Sequence, residues 1–416
     1  MEITEAPTHP LAAARYQSPL RYPGAKSGLG RHIKALVDEA SNSLGRPELL
    51  VEPFAGGAST ALRLVGAGSV TRVLLADADP LVAAFWQTAA ADTEWLIDRM
   101  YGEPVTLDRW EYWRQQPTAQ LTREEAAVKC LFLNRTTFSG IPHGRAGPIG
   151  VRTQSGRYRI DCRLNKESLA QRLRYVGRLY DDGHIADVWC KDWSATLQDV
   201  AEWYPMLLPD RVVACLDPPY LAKPPRLYAL SFDPAGGYAA SSEGIVGQAW
   251  EEGLAHYRLA RHLRTACRFR WILSYDHDPE LTANWLLYKA DRMTPSPEGR
   301  RLLGIRAWYI SKRLVTLQYT ASGSGKRRLS EELLLTTLPS RRVPTDDVPP
   351  AGFPEGSGRA GKCLILHAEL PLAGERPGTS RALSPQDGAG MPDGRSAAVR
   401  ACVPLGGWLS RYLAWQ

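Results

Sequence analysis

The sequence contains no apolar run long enough to span a membrane. Although 44% of the 416 residues are hydrophobic, no stretch comes close to the ~18 consecutive apolar side chains of a membrane helix. We therefore expect a globular chain with one large core or two smaller ones. The first fifteen residues contain acids and prolines instead of a basic start and an apolar segment, which argues against a secretion signal and favours a cytoplasmic protein.

The cysteines are too widely spaced to form a zinc site. Zinc-ligand pairs are typically separated by about two to four residues, and no two of the seven cysteines have that spacing. We expect reduced thiols and no bound metal. The seven are Cys130, Cys162, Cys190, Cys215, Cys267, Cys363 and Cys402.

Both common nucleotide-phosphate motifs are also missing. There is no G-x-G-x-x-G and no G-x-x-x-x-G-K-[ST], and the GSGKRR stretch at 323–328 lacks the upstream glycine. This excludes the usual dinucleotide and phosphate-loop sites. The sequence EPFAGGAS at 52–59 nevertheless places a glycine pair between an apolar strand and a helical pattern, where a backbone can approach a nucleoside-sized ligand. The alternative is a tight turn that binds nothing.

The second apolar run ends in an acid. In LLADADP this acid is Asp77, and an acid at the end of such a strand can accept hydrogen bonds from both hydroxyls of a ribose. The alternative function, capping the next helix, fits Asp79 better than Asp77. A ribose-binding acid without a phosphate motif indicates a nucleoside cofactor that carries no pyrophosphate, a description that S-adenosylmethionine fits.

Apolar runs of strand length recur with helical stretches between them, which favours an α/β fold. Such alternation is typical of a mostly parallel sheet with helices on both faces, whose ligands bind outside the carboxyl ends of the strands. Each run ends in an acid or a cysteine. The five runs are 48–52, 70–77, 185–190, 211–217 and 268–276.

Two segments break this alternation. Residues 95–180 contain helical patterns and then a stretch rich in Gly and Arg, so we predict an inserted domain. Residues 129–178 hold eleven Lys and Arg against two acids, an excess of +9 in a chain whose total is +7, which indicates either a solvated basic surface or a phosphate-contacting face. In 341–416, Gly and Pro make up 20 of 76 residues, and we predict a disordered tail.

The run 211–217 continues into LDPPY, which combines acceptors with an aromatic ring. Asp217 ends the strand, and the two prolines fix φ and donate no hydrogen bond, so the carbonyls of Asp217 and Pro218 are free to face outward as acceptors. Tyr220 adds a flat face for stacking. A planar group with an exocyclic amine, such as a base rotated out of its helix, suits all three features. The alternative is a strand-ending turn with a packed tyrosine.

Five ordered motifs resemble the Dam-type, or D12 class, DNA adenine-N6 methyltransferases. They are SPLRYPGAKSGLG, EPFAGGAS, LLADADP, FLNRTTFSGI and LDPPY, and the resemblance runs from about 18 to 338. It implies a Rossmann-like S-adenosylmethionine-dependent methyltransferase sheet formed by 18–94 and 181–338. It also implies a mainly helical target-recognition insertion at 95–180.

The resemblance assigns roles residue by residue. It implies a catalytic loop of Asp217, Pro218, Pro219 and Tyr220, and DNA contacts from Asn134, Arg135 and Arg145. The implied cofactor-binding residues are Tyr22, Lys26, Phe54, Gly56, Asp77, Asp192 and Asp217.

The sequence departs from the family pattern at two positions of the cofactor site. Ala58 stands where many members have a third glycine, and Tyr22 replaces a more usual tryptophan, so we expect looser contact with the cofactor. For Asp192 the alternative is a strand-end cap followed by a core tryptophan.

The resemblance implies site-specific methyl transfer from S-adenosylmethionine to the 6-amino group of a flipped adenine in double-stranded DNA. It further suggests a monomer and a possible companion restriction endonuclease. The alternatives are methylation of the cytosine 4-amino group, of adenine in RNA or of a glutamine side chain. A further alternative, of a different class, is a DNA-binding regulator that has lost turnover.

Overall fold

The structure is a computed structural model of the chain. It describes residues 18–21, 28–140, 142–143, 146–219, 258–264, 266–276, 310–319, 328–340 and 363–365. Within these ranges the strands form one mixed, eight-stranded sheet. The fold is therefore α/β, as the sequence predicted.

The five predicted runs form five parallel strands. They are β1 (Leu49–Glu52), β2 (Arg72–Asp77), β3 (Ile185–Cys190), β4 (Val212–Leu216) and β5 (Arg270–Asp276). Three further strands are antiparallel to their neighbours and extend the sheet beyond β5: β6 (Ser311–Tyr319), β7 (Arg328–Thr336) and β8 (Cys363–Ile365). The order across the sheet is β3-β2-β1-β4-β5-β7-β6-β8.

The strand order creates a switch point between β1 and β4. From β1 the chain builds outward through β2 and β3 on one side, and it later builds through β4 and β5 on the other. The helices that follow β1 and β4 therefore leave in opposite directions, which opens a crevice at the carboxyl ends of these two strands. Ligands of open α/β sheets bind in this crevice.

The helices begin where the sequence supplies capping groups. Asp79 caps α3, where proline occupies the first position, and a reciprocal capping box of Thr122 and Glu125 begins α6. None of the helices in the described ranges is long and apolar enough to cross a membrane. The α-helices are α1 (Gly30–Leu44), α2 (Ser59–Gly66), α3 (Pro80–Ala91), α4 (Thr93–Gly102), α5 (Leu107–Gln115), α6 (Arg123–Thr136), α7 (Lys166–Asp181) and α8 (Trp193–Trp203). Short 3-10 turns cover Thr118–Gln120, Phe138–Gly140 and Pro205–Leu207.

The sheet is buried on both faces. Along β1, Leu50 belongs to one hydrophobic cluster, whereas Leu49 and Val51 belong to another, because successive side chains of a strand point to opposite faces. The first cluster includes side chains from α1, α2 and α3, and the second includes α8 and the helical residues 258–264. Burial on both faces explains why the parallel strands are continuous apolar runs.

The inserted segment does not form a separate core. Leu96 of α4, Phe132 of α6 and Leu173 of α7 belong to the same hydrophobic cluster as Phe85 of α3. A separate recognition domain at 95–180 is therefore not confirmed, although the helical character that we predicted for its first part is present.

One part of the predicted disordered tail pairs with the sheet. Residues Cys363–Ile365 form β8, whose backbone pairs with β6 from Arg313 to Val315. Such pairing is open to any extended segment, because an edge strand offers unpaired backbone groups, and the prediction of a disordered tail stays a prediction. The other residues of the tail lie outside the described ranges, and the prediction stands untested for them.

Candidate functional site

Three acids lie at the carboxyl ends of neighbouring parallel strands. Glu52 ends β1, Asp77 ends β2 and Asp217 follows β4, so all three lie at the edge of the sheet where the switch point is. Within the described ranges, no group of three or more His, Cys, Asp and Glu side chains is arranged to hold a metal ion.

The structure brings the glycine turn and Asp77 together. The Gly56 N–H donates to Asp77 Oδ2 over 2.8 Å, and the Asp79 N–H donates to Asp77 Oδ1 over 2.9 Å. Behind the turn, the buried Trp86 Nε1 donates to the Gly56 carbonyl over 2.8 Å. These contacts fix the carboxyl group of Asp77 against the turn, and its bonds to ribose hydroxyls stay a prediction.

The carboxyl group of Asp77 is unusually basic. Burial and the nearby Asp79 carboxylate raise its pKa from 3.8 to about 7, against the opposing effect of the N–H donors of Gly56 and Asp79. A carboxyl group with this pKa exchanges protons near neutrality. A ligand that presents hydroxyl donors or positive charge would favour its ionised form.

Asp79 links this turn to the predicted recognition segment. Its Oδ1 accepts from the Leu81 N–H over 2.9 Å, which confirms its predicted function as the cap of α3. Its Oδ2 lies 2.7 Å from His143 Nε2. No sequence pattern links Asp79 to His143, because the two residues are 64 positions apart along the chain.

Glu52 is a functional candidate that sequence reasoning missed. It is only 6% exposed, and its Oε1 accepts from the Ala61 N–H in the first turn of α2 over 2.9 Å. Burial raises its pKa from 4.5 to about 8, and the Asp217 carboxylate adds to the rise. One feature of the sequence could have identified Glu52, because it is an acid at the end of an otherwise apolar run. All four residues of that strand, β1, are buried.

Asp217 is held from the neighbouring strand. Ser274 of β5 is 3% exposed, and its hydroxyl donates over 3.0 Å to Asp217 Oδ1 and lies 3.3 Å from the Leu216 carbonyl. Pro218 and Pro219 follow Asp217 and belong to no helix or strand. Tyr220, the predicted stacking residue, lies outside the described residues.

Ala58 has a backbone conformation that favours glycine. It precedes α2 with φ of 45° and ψ of 30°, in the left-handed region. The third glycine of the family motif would be unstrained at this position, whereas alanine is strained. The turn is therefore kept when alanine replaces the glycine, and the backbone of Ala58 is strained.

This strain predicts that Ala58→Gly stabilises the protein. An L residue in the left-handed region costs roughly 1–2 kcal/mol, and the added freedom of glycine in the unfolded chain offsets about 0.4–1 kcal/mol of that gain. Thermal denaturation should show a small rise in Tm. Ala195→Gly in α8 is the matched control and should lower Tm, because there the alanine is helical. Equal losses in both variants would contradict the strain at Ala58.

The other predicted cofactor residues have mixed outcomes. Phe54 is half-buried and packs against the second hydrophobic cluster. Asp192 caps α8, since its Oδ1 accepts from Ser194 N–H over 2.7 Å and Ala195 N–H over 3.1 Å, and Trp193 is buried. This is the structural alternative that we considered for Asp192, and its contact with a cofactor stays a prediction. Tyr22 and Lys26 lie outside the described residues.

Asn134 and Arg135, two of the predicted DNA contacts, are buried in the structure. Asn134 is 1% exposed and Arg135 is 6% exposed, and both side chains bond to the backbone of the segment 18–21. Their contact with DNA stays a prediction. Arg145, the third predicted DNA contact, lies outside the described residues.

Comparison with known proteins agrees with this geometry. The model of the D12 class N6 adenine-specific DNA methyltransferase family matches residues 22–224, about half of the chain. The matched range includes β1 to β4 and all three acids of the crevice. No curated protein showed a significant match to the chain. The chain is therefore similar to the D12 class of N6 adenine-specific DNA methyltransferases over residues 22–224, and the family resemblance drawn from the five motifs is confirmed over that range.

Proposed function

We propose that the protein transfers a methyl group from S-adenosylmethionine to the 6-amino group of adenine in double-stranded DNA, at a specific sequence. The observation that carries this proposal is the position of Asp217 at the switch point, beside the Asp77 and Gly56 turn and within the family match. A hydrogen-bond acceptor for an amine and a site for a nucleoside thus lie at the same edge of the sheet.

The residues of the crevice fit this cofactor. Asp77 is fixed against the glycine turn and offers carboxylate oxygens suited to ribose hydroxyls. A cationic ligand at this edge of the sheet would favour the ionised forms of Glu52 and Asp77, whose pKa values are raised to about 8 and about 7. When bound, S-adenosylmethionine supplies an electrophilic methyl group on a positively charged sulfur. We propose that Phe54, Gly56 and Asp77 hold it, with Tyr22, Lys26 and Asp192 as further contacts.

Asp217 is proposed to act on the amine. The lone pair of an adenine amine is delocalised into the ring, which makes the nitrogen a poor nucleophile. By accepting a hydrogen bond from the N–H, Asp217 favours a more tetrahedral nitrogen and stabilises the positive charge that grows on it. The Pro218 carbonyl is proposed as the second acceptor. Preorganised acceptors need not reorient during the reaction, and alignment of the two reactants supplies a further part of the rate.

The amine is out of reach within a stacked duplex, so we propose that the adenine rotates into the crevice. Flipping a base costs about a few kcal/mol, and stacking on an aromatic ring returns roughly 1–3 kcal/mol. Tyr220 is the proposed ring.

An exposed basic surface in the inserted segment supports binding to DNA. Phe138 is 67% exposed and Tyr158 is 57% exposed, and the Arg157 guanidinium lies 5.8 Å from the centre of the Tyr158 ring. The neighbouring exposed arginines are Arg152, Arg159 and Arg163. Cations interleaved with aromatic rings suit a phosphate backbone, and their contacts weaken at high salt, because the release of counterions from the phosphates is then less favourable. We propose this surface as a DNA contact.

Removal of the Ser274 hydroxyl tests how Asp217 is held. Ser274→Ala is expected to lower the rate of methyl transfer by about 10-fold, because one charge-assisted hydrogen bond is lost and the carboxylate can turn away from the amine. Ser274→Thr keeps the hydroxyl and should recover part of the rate. Single-turnover rates with saturating DNA and cofactor provide the measurement, and an unchanged rate in Ser274→Ala would contradict this positioning.

The proposed function is tested with the purified full chain and methyl-labelled S-adenosylmethionine. The substrate is unmethylated DNA of mixed sequence, produced by amplification in vitro, so that any recognition sequence is present. We expect the label in the duplex, and nucleoside analysis should identify it as N6-methyladenine.

Matched arms separate the alternatives. An RNA of the same sequence and a duplex of only G·C pairs should remain unlabelled. Label on cytosine, on RNA or on the protein, with none on adenine of the duplex, would overturn the proposal. Binding of the cofactor and DNA without any transfer would favour the regulator.

A further inference from the structure

A histidine of the inserted segment contacts the turn that holds Asp77. His143, which lies between α6 and α7, places its Nε2 2.7 Å from Asp79 Oδ2. Because an ionised carboxyl can only accept hydrogen bonds, the Nε2 atom carries a proton and donates it. The Asp79 side chain is 8% exposed and that of His143 is 26% exposed, so water screens this bond less than it would screen one at the surface.

Asp79 connects His143 to the proposed cofactor site. Its backbone N–H donates to Asp77 Oδ1 over 2.9 Å, and Asp77 Oδ2 accepts from the Gly56 N–H over 2.8 Å. The second carboxylate oxygen of Asp79 accepts from the Leu81 N–H of α3 over 2.9 Å. Asp79 is thus bonded at the same time to the inserted segment, to α3 and to the acid proposed to bind the ribose.

The charges of this contact also act on Asp77. Burial, and then the Asp79 carboxylate, raise the pKa of Asp77 to about 7, whereas the charge of His143 lowers it. Without His143, a larger fraction of Asp77 would be protonated. A protonated carboxyl has less capacity to accept hydrogen bonds, so it would bind the hydroxyls of a ribose less well.

A second cation near Asp79 is engaged elsewhere. Burial lowers the pKa of Lys129 in α6, and the charge of Asp79 opposes this change. The Lys129 ammonium nevertheless donates to the Gln116 carbonyl over 2.5 Å, and it lies 3.4 Å from Thr118 Oγ1. Lys129 therefore cannot take the place of His143 at Asp79 without losing these bonds.

Helix α5 connects His143 to the exposed basic surface. Arg114 Nη1 donates over 3.2 Å to the carbonyl of Pro142, the residue directly before His143. Three residues earlier on the same helix, and hence on the same side of it, Glu111 forms an ion pair with Arg152. Arg152 belongs to the surface proposed to contact DNA. DNA bound there therefore acts on the helix that holds Pro142.

We propose that His143 is a positioning residue that couples the binding of S-adenosylmethionine at Asp77 to the binding of DNA on the inserted segment. This inference rests on the proposed function and adds a linkage between its two ligands. The coupling is expected to be positive, because a segment that one ligand has already ordered costs less to order for the other. Linkage is reciprocal, so each ligand should raise the affinity for the other by the same factor.

The coupling is measured in the full chain as the ratio of two dissociation constants. The probe is S-adenosylhomocysteine, which keeps the ribose but has no methyl group to transfer, and its Kd is measured by calorimetric titration without DNA and with saturating unmethylated duplex DNA. We expect a ratio of about 5 or more in the unmodified protein. In His143→Ala the ratio should fall to about 1, and the Kd without DNA should rise by about 3-fold, since one charge-assisted hydrogen bond is lost.

Two further variants separate positioning from a general loss of structure. His143→Gln can place an amide donor near Asp79 and should recover most of the ratio. The matched control is His184→Ala, because the half-buried His184 makes a comparable contact of 3.0 Å with the Thr71 carbonyl at the opposite end of the sheet. Its ratio should be that of the unmodified protein. If His143→Ala fails to fold, as judged by thermal denaturation, His143→Asn replaces it, since the shorter amide cannot reach Asp79.

The outcomes distinguish this inference from the proposed function. If the unmodified protein binds S-adenosylhomocysteine with the same Kd in the presence and absence of DNA, or if the folded variants without the donor keep the ratio, the role of His143 is overturned. If the unmodified protein binds neither S-adenosylmethionine nor S-adenosylhomocysteine, the proposed function itself fails.

Discussion

Replacing Asp217 by alanine is expected to lower the rate of methyl transfer by about 10³-fold, while the protein stays folded. Loss of one preorganised group that stabilises charge in a transition state typically costs about 10²–10³-fold in rate, and Asp217 also orients the amine. Folding should not suffer, because Asp217 lies beyond the end of β4, and the Ser274 hydroxyl that donates to it keeps the Leu216 carbonyl as an acceptor.

Single-turnover transfer from labelled S-adenosylmethionine to DNA is the measurement, with Tm recorded for every variant. The matched control is Asp210→Ala, which removes an acid at the opposite end of the same strand, where Asp210 pairs with Arg270. Its transfer rate should be unchanged. Turnover retained in Asp217→Ala would remove the acceptor mechanism, whatever the family match indicates.

The sequence predicted the half of the sheet that carries the site. Each parallel strand packs against hydrophobic clusters on both faces, so its sequence is mainly apolar. The acids Asp77 and Asp217 are therefore easy to recognise at the ends of these runs. The cap at Asp79 was equally readable, because capping depends on residues that are adjacent in sequence. Local rules were sufficient for these features.

The rest of the sheet and of the site depends on contacts between residues that are far apart in the sequence. The antiparallel strands β6 and β7 pair with each other and with β5, and the sequence analysis identified neither. Ser274 reaches Asp217 across 57 positions, and Asn134 reaches Arg21 across 113. A buried arginine and an exposed one look alike in sequence, so the basic character of the segment concealed that Arg135 faces inward.

Glu52 gives the protein a pH dependence that a single substitution should remove. Its pKa rises from 4.5 in the unfolded chain to about 8 in the folded protein, so between these values the folded state binds more protons. The free energy of unfolding must therefore fall as pH rises through this window. One proton corresponds to at most about 1.4 kcal/mol per pH unit. Glu52→Gln keeps an acceptor for the Ala61 N–H but cannot ionise, so it should be the more stable form at pH 8, by about a few kcal/mol.

Comparing the two proteins across pH isolates Glu52 from Asp77. The pKa of Asp77 also rises on folding, from 3.8 to about 7. Because Asp77 is present in both proteins, its contribution cancels in the difference between them. Denaturant unfolding from pH 4 to pH 9 should show the two curves together near pH 4 and separating up to about pH 8, above which the gap is constant. Glu202→Gln, which removes an exposed carboxyl of α8, should follow the unmodified protein throughout. If the difference in free energy of unfolding between the two proteins does not change with pH, Glu52 is already ionised in the folded protein. A nearby positive charge must then offset the repulsion between Glu52 and Asp217.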